Sequence, residues 1–161
     1  MSNWETLGVQ IQSLSRNEFV QKHPYPFVAV HSMVDAAPNA FKTVAMPGDA
    51  SAVEEDIFPL VKRVGANTFS FITLGRSRNN DIVVNGGAVS KLHAVFQQTK
   101  DGFTIMDSGS SNGSTLNGAP LMPQKPTKLK DGDVIVFAAQ VSTKFLEASS
   151  AYQALLDKQY K

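Results

Sequence analysis

Side chains that can bind an anion recur at close spacing between residues 75 and 118, where apolar runs separate them. The four polar signatures are, in chain order, Gly75-Arg76, Ser90-Lys91-Leu92-His93, Ser110-Ser111-Asn112-Gly113 and Asn117-Gly118. An arginine guanidinium is permanently charged and offers a planar fork of donors that fits phosphate oxygens. Serine hydroxyls add short neutral donors. None of the signatures means much alone, so their order and the elements between them carry the argument.

Turn signals recur from residue 58 onward, and they delimit the elements that must position these side chains. Asn-Gly and Asp-Gly pairs supply the positive φ angles that tight hairpins need. The runs between them are rich in β-branched and aromatic residues, and several alternate in polarity. The predicted strands are residues 58–64, 69–74, 82–84, 94–98, 103–106, 114–116, 134–138 and 142–146. Many short strands with little helix between them predict a sandwich or a barrel.

The two ends of the chain have a different pattern. Apolar side chains at spacings of three to four predict a helix over residues 4–21, which the proline after His23 would stop. Two further strands are predicted at 27–34 and 41–46, followed by an acidic, small-residue linker over 47–56. Tyr152, Leu155 and Leu156 share one face of a predicted C-terminal helix.

Composition excludes several classes of protein. The 161 residues leave room for one domain, with or without an extension. A formal net charge of +1 gives no global attraction to nucleic acid or to a membrane surface. The lack of cysteine excludes disulfides and thiolate metal sites. Because no apolar run approaches the roughly 20 residues of a spanning helix, and no signal peptide is evident, a cytoplasmic location is expected.

In this order and strand context, the four signatures resemble those of the forkhead-associated (FHA) domain family. The resemblance covers residues 58–147. It implies an all-β, two-sheet β-sandwich of FHA/SMAD-like type, with about ten to eleven short strands, whose loops at one end bind phosphothreonine. The expected organisation is an N-terminal extension over 1–56, an FHA domain over 57–147 and a short C-terminal helix over 148–161.

The resemblance also implies roles for individual residues. Phosphate binding is expected from Arg76, Ser90, Lys91 and Ser111, and binding of the peptide backbone from Asn112. The loop that carries Arg78 and Asn80 and the loop around Lys91 are expected to help select the side chain about three residues after the phosphothreonine, and the basic residues Arg78 and Lys91 favour an acidic one. The residues expected to support the loops are Gly75, His93, Asp107, Gly113, Asn117 and Gly118.

The function that the resemblance implies is recognition of phosphothreonine in a partner protein, downstream of a Ser/Thr kinase. The partner would be the kinase or its substrate, with no nucleic acid or membrane involved. The alternative is a structural or interaction subunit on the same sandwich that binds partners independently of phosphate. An enzyme would have to use Ser90, His93 and Asp107 as a triad, but these residues already have roles in the family. We therefore expect no catalytic residue, metal or cofactor.

Overall fold

The computed structural model describes residues 2–32 and 55–159, and short strands make up most of it. The elements are α1 (Asn3–Ile11), α2 (Arg16–Lys22), β1 (Phe27–Ser32), β2 (Asp56–Pro59), β3 (Ile72–Gly75), β4 (Ile82–Val83), β5 (Ala94–Thr99), β6 (Gly102–Asp107), β7 (Ser114–Leu116), β8 (Ala119–Pro120), β9 (Thr127–Lys128), β10 (Val134–Phe137), β11 (Val141–Leu146) and α3 (Ala148–Gln159). The predicted strand at 41–46 and the end of the one at 27–34 lie outside the described residues.

The strands form two sheets that pack face to face. One has six strands in the order β2-β1-β11-β10-β7-β8, and the other has five in the order β4-β3-β5-β6-β9. All neighbours are antiparallel except β3 and β4. This arrangement confirms the predicted all-β, two-sheet sandwich, including its number of strands.

Large apolar side chains fill the space between the sheets. The most deeply buried of them are Leu74, Phe96, Ile105, Ile135, Phe137 and Phe145. Burial of each such side chain contributes about 1.5–3 kcal/mol. This core fixes the strand ends from which the loops at residues 75–113 emerge.

A second core lies on the outer face of the six-stranded sheet, beneath the three helices. Strand β1 serves both cores because successive side chains alternate between its faces. Val28 and Val30 point into the sandwich, whereas Phe27 and Ala29 pack under the helices. The helices contribute Trp4, Leu7, Ile11, Phe19 and Leu155 to this second core.

The predicted helix over residues 4–21 is two helices, because a capping box interrupts it. The Ser15 side chain accepts a hydrogen bond from the Glu18 N–H, and the Glu18 carboxylate accepts one from the Ser15 N–H at 2.7 Å. These reciprocal bonds start a new helix at Arg16. The amide groups of Asn3 and Trp4 at the start of α1 donate to the Asp56 carboxylate, which ties this helix to β2.

Two predicted strands are shorter than expected. Strand β2 ends at Pro59 and β3 begins at Ile72, so residues 60–71 form a connection held mainly by side-chain hydrogen bonds.

No helix within residues 2–32 and 55–159 combines the length and the apolarity needed to cross a membrane.

Candidate functional site

Three loops meet at one end of the sandwich, and they carry the residues expected to bind a ligand. The Arg76 amide donates to the Ser90 carbonyl at 2.9 Å, which joins the loop after β3 to the loop before β5. The Ser111 amide donates to Ser90 Oγ at 3.1 Å, which brings in the loop after β6. The Asn112 side-chain amide donates to the Ala88 carbonyl at 2.8 Å. The structure therefore gathers these residues around Ser90.

Arg76 is exposed at the end of β3 and is already oriented. Its Nε donates to the Val89 carbonyl at 3.0 Å. The two terminal nitrogens of its guanidinium have no partner among the described residues. Because one edge of the group is fixed, little side-chain entropy remains to be lost when the other edge binds an anion.

Ser90 is arranged so that its hydroxyl can donate. Its Oγ accepts from the Ser111 amide, and its own amide donates to His93 Nδ1 at 3.1 Å. The hydroxyl proton is left without an acceptor in the described part of the chain. Ser111 lies next to it with an exposed hydroxyl that has no partner in the same region. Two hydroxyl donors are thus available beside the arginine fork.

His93 is fully buried and joins two of the loops. Its Nδ1 accepts from the Ser90 amide, so the hydrogen of the neutral ring lies on Nε2, which donates to the Gly113 carbonyl at 2.9 Å. Nε2 is also 3.1 Å from Ser114 Oγ. The ring therefore acts as a rigid spacer between the loops that carry Ser90 and Ser111.

Asp107 organises the loop that follows β6. One carboxylate oxygen accepts from the amides of Gly109 and Ser110 at 2.9 and 2.8 Å. The other accepts from the hydroxyls of Ser110 and Ser114 at 2.7 and 2.6 Å. Burial alone would raise the pKa of Asp107, but these hydrogen bonds and the nearby His93 hold that pKa below its usual range. The carboxylate thus stays charged and keeps the loop closed.

Ser90, His93 and Asp107 do not form the hydrogen bonds of a catalytic triad. The Ser90 contact to His93 comes from its backbone amide rather than from its hydroxyl. Residues 109–113 read Gly-Ser-Ser-Asn-Gly, the spacing of a nucleophile elbow. That motif needs a strand followed by a helix, whereas here it connects strands β6 and β7. Ser111 therefore lacks the setting of an activated nucleophile.

Glycine is required where the first two loops cross. A Cβ on Gly75 would lie 2.2 Å from the Lys91 carbonyl oxygen and 2.9 Å from Asn80 Nδ2. Asn117 and Gly118 have φ angles of 49° and 85° and connect β7 to β8, as the type I′ hairpin predicted from this pair requires. Gly113 also has a positive φ, of 76°.

The two predicted specificity residues in the loop after β3 differ in exposure. Arg78 is exposed, as is Lys91 in the adjacent loop. Asn80 is only 3% exposed, and its side-chain amide donates to the carbonyls of Ser77 and Lys91 at 2.8 and 2.6 Å. Asn80 therefore holds the loops together from within, while Arg78 and Lys91 offer side chains to a ligand.

Sequence reasoning did not find every residue that shapes the site. Ser110 and Ser114 fasten the loop to Asp107, and a serine three residues after an aspartate is a turn signal that could have indicated the first of them. Ala88 and Val89 contribute only backbone carbonyls, for which side-chain type gives no signal.

The buried histidine makes the stability of the fold depend on pH. Burial lowers the pKa of His93, and the hydrogen bond to Gly113 and the charge on Asp107 only partly oppose this effect. Between this lowered pKa and the ordinary value of 6.5, the unfolded chain binds more protons than the folded protein. The free energy of unfolding should therefore fall as the pH drops below about 6.5, with a limit of about 1.4 kcal/mol per pH unit for one such group.

Urea denaturation at several pH values checks this expectation. The pKa values of His23 and His31 are also lowered by burial, so they add to the slope. The matched comparison is therefore between wild type and His93→Asn, whose stability should change less between about pH 5.5 and 7. Equal slopes for the two proteins would contradict the assignment of this dependence to His93.

Part of this chain is similar to known proteins. Residues 72–138 match the model of the FHA domain family. An FHA domain-containing protein of Arabidopsis thaliana is 39% identical over 67 residues, which are 41% of this chain and 17% of that protein. The DNA damage response protein kinase DUN1 of Saccharomyces cerevisiae is 38% identical over 87 residues, covering 49% of this chain and 17% of the kinase.

Fold comparison gives the same result over a longer part of the chain. A solved structure of an engineered FHA with a Myc-pTBD peptide aligns with a TM-score of 0.52 and 20% identity, covering 81% of this chain and 98% of that one. At this identity the likeness shows the fold. Together with the family match, it shows that residues 72–138 are similar to FHA domains and that the sandwich around them has the same fold.

Proposed function

We propose that this chain binds phosphothreonine-containing segments of partner proteins in the cytoplasm, and so makes an association depend on a Ser/Thr kinase. FHA domains are interaction modules rather than enzymes. The observation that carries the proposal is the cluster of unsatisfied donors around Ser90. The terminal nitrogens of Arg76 and the hydroxyl protons of Ser90 and Ser111 have no acceptor in the described part of the chain.

The charges around this cluster favour a dianion. Arg76, Arg78 and Lys91 are exposed cations on the first two loops. The carboxylates in the same region, on Asp81 and Asp107, are buried and accept hydrogen bonds from the protein itself. A phosphate ester carries about −1.5 to −2 charge at neutral pH and three strong acceptor oxygens. Such a group matches the number and the sign of the free donors.

The expected affinity suits a reversible contact. Hydrogen bonds to charged groups contribute about 1.5–3 kcal/mol each. Three of them would give roughly 5–8 kcal/mol before ordering costs. A dissociation constant of about 1 μM corresponds to −8.2 kcal/mol. These donors would therefore supply a large part of the free energy of micromolar binding, and Asn112 would add contacts to the peptide backbone.

Peptide binding tests the proposal directly. The wild-type chain should bind phosphothreonine peptides from a degenerate library at least about 100-fold more tightly than the same peptides without phosphate. Phosphoserine versions serve as the matched control, and they should bind more weakly because they lack the γ-methyl group. Fluorescence anisotropy gives all three affinities. Equal binding with and without phosphate would overturn the proposal and favour a phosphate-independent interaction subunit.

A further inference from the structure

The β3–β4 loop, residues 76–81, is held from outside the three-loop site. These additional contacts come from residues 62–67, called here the anchor segment, in the connection between β2 and β3. This part of the chain carries none of the phosphate-binding signatures. Its side chains nevertheless determine where the exposed part of the β3–β4 loop lies.

Three consecutive carbonyls of the loop accept hydrogen bonds from the anchor segment. The Arg63 guanidinium donates to the carbonyls of Arg78 and Asn80, with Nη2 at 2.7 Å and Nε at 3.2 Å from the Asn80 oxygen. The Asn67 side-chain amide donates to the Asn79 carbonyl at 2.9 Å. An exposed arginine thus contacts the backbone of one loop and forms no ion pair among the described residues.

A partly buried ion pair fixes the base of the anchor segment. Lys62 Nζ lies 2.6 Å from Asp81 Oδ2, and it also donates to Asn67 Oδ1 at 2.7 Å. The Arg63 amide donates to Asp81 Oδ1 at 2.8 Å. The Asp81 side chain has no exposed surface. Arg63 therefore reaches the loop from a rigid support.

Arg76 is independent of this support. Its amide and Nε are held by the carbonyls of Ser90 and Val89, on the other side of the site. Arg78 is exposed like Arg76, but the hydrogen bond that holds its carbonyl comes from Arg63. Loss of the Arg63 guanidinium should therefore free the carbonyls of Arg78 and Asn80 and loosen this backbone, while the phosphate-binding donors stay in place.

We propose that Arg63 is a positioning residue for selectivity. By fixing the backbone of residues 78–80, it places the Arg78 side chain at a defined distance from the phosphate, so that the site discriminates between acidic and other side chains near the phosphothreonine. This inference rests on the proposed function for the peptide site. It assigns to the anchor segment a role in choosing partners and none in holding the phosphate.

The experiment compares Arg63→Ala and Arg63→Lys with wild type on phosphothreonine peptides that differ in one neighbouring residue, acidic or basic. Lys100→Ala is the control, because Lys100 is an exposed cation in the turn between β5 and β6. In both Arg63 variants the ratio of the two affinities should fall about five- to tenfold. The preference for phosphorylated over plain peptide should change less than about threefold. The lysine variant keeps the charge but loses the planar fork.

Hydrogen exchange of the free protein gives a readout that needs no peptide. The Asn80 amide, which donates to the Ser77 carbonyl, should exchange at least about tenfold faster in the Arg63 variants, with the amides of β5 and β6 unchanged. Unchanged protection, or an unchanged affinity ratio, would overturn the inference. So would a lysine variant that behaves like wild type, because charge alone would then explain the effect. If wild type binds no phosphopeptide, the proposed function fails and the selectivity role with it, whatever the exchange result.

Discussion

Replacing Arg76 by alanine should weaken binding of a phosphothreonine peptide at least about 100-fold. The substitution removes the permanently charged donors of the three-loop site, and a bidentate contact to phosphate is among the strongest that a side chain can make. Two charge-assisted hydrogen bonds at about 1.5–3 kcal/mol each account for a loss of this size. Because Arg76 is exposed, the free energy of unfolding should change by less than about 1 kcal/mol.

Two matched variants test whether binding needs the guanidinium itself. One keeps the positive charge at this position, and the other removes an arginine elsewhere. Arg76→Lys keeps the charge but loses the Nε bond to Val89, so it should bind with intermediate affinity. Arg16→Ala removes an exposed arginine that bonds Gln153 on the helical side of the molecule, and it should bind as wild type does. Isothermal titration calorimetry gives the affinities and urea denaturation gives the stabilities. Wild-type binding by Arg76→Ala would show that the phosphate binds elsewhere or not at all.

Much of the sandwich could be predicted because its turns have strong local signals. The Asn117-Gly118 pair, for example, predicts a hairpin because asparagine and glycine adopt the positive φ angles that the turn requires, and the structure has them. Two-residue strands such as β8 and β9 have no such signal, because neighbouring strands provide the pairing. The break between α1 and α2 was missed even though Ser15 and Glu18 carry it, since apolar spacing continues across it.

Residue type predicted the hydrogen-bond donors of the site better than the role of the anchor segment. Arg76, Ser90 and Ser111 were predicted as one group, and the structure brings them together around Ser90. The anchor segment was instead interpreted as strand and turn. Its partners are backbone carbonyls, which every residue has, so Arg63 could be connected to residues 78–80 only through three-dimensional structure.

Replacing His93 by alanine should lower the free energy of unfolding by about 3 kcal/mol or more. The ring is 0% exposed and packs edge-on against Phe137, so its removal leaves a cavity at the end of the core. It also removes the acceptor of the Ser90 amide and one of the two donors to the Gly113 carbonyl, which keeps the Ala138 amide at 2.9 Å. The loss of a hydrogen-bond partner for the partly buried Ser90 amide costs about 1–3 kcal/mol in addition to the cavity.

The same substitution should weaken peptide binding even under conditions where the variant is folded. His93 sets the spacing between the loops that carry Ser90 and Ser111, so these hydroxyls would no longer converge on one phosphate. We expect binding about tenfold weaker at a temperature well below the unfolding midpoint. His31→Ala is the control for histidine loss, because its half-exposed side chain lies on β1.

His93→Asn tests separately the hydrogen bonds that the two ring nitrogens make. An asparagine oxygen can replace Nδ1 as the acceptor for the Ser90 amide, but its shorter side chain cannot reach the Gly113 carbonyl. The variant should therefore recover about half of the stability lost in His93→Ala. Recovery of stability without recovery of binding would assign the spacing between the loops to the Gly113 contact. Equal instability of both variants would contradict a separable contribution from Nδ1, and leave cavity formation as the main cost.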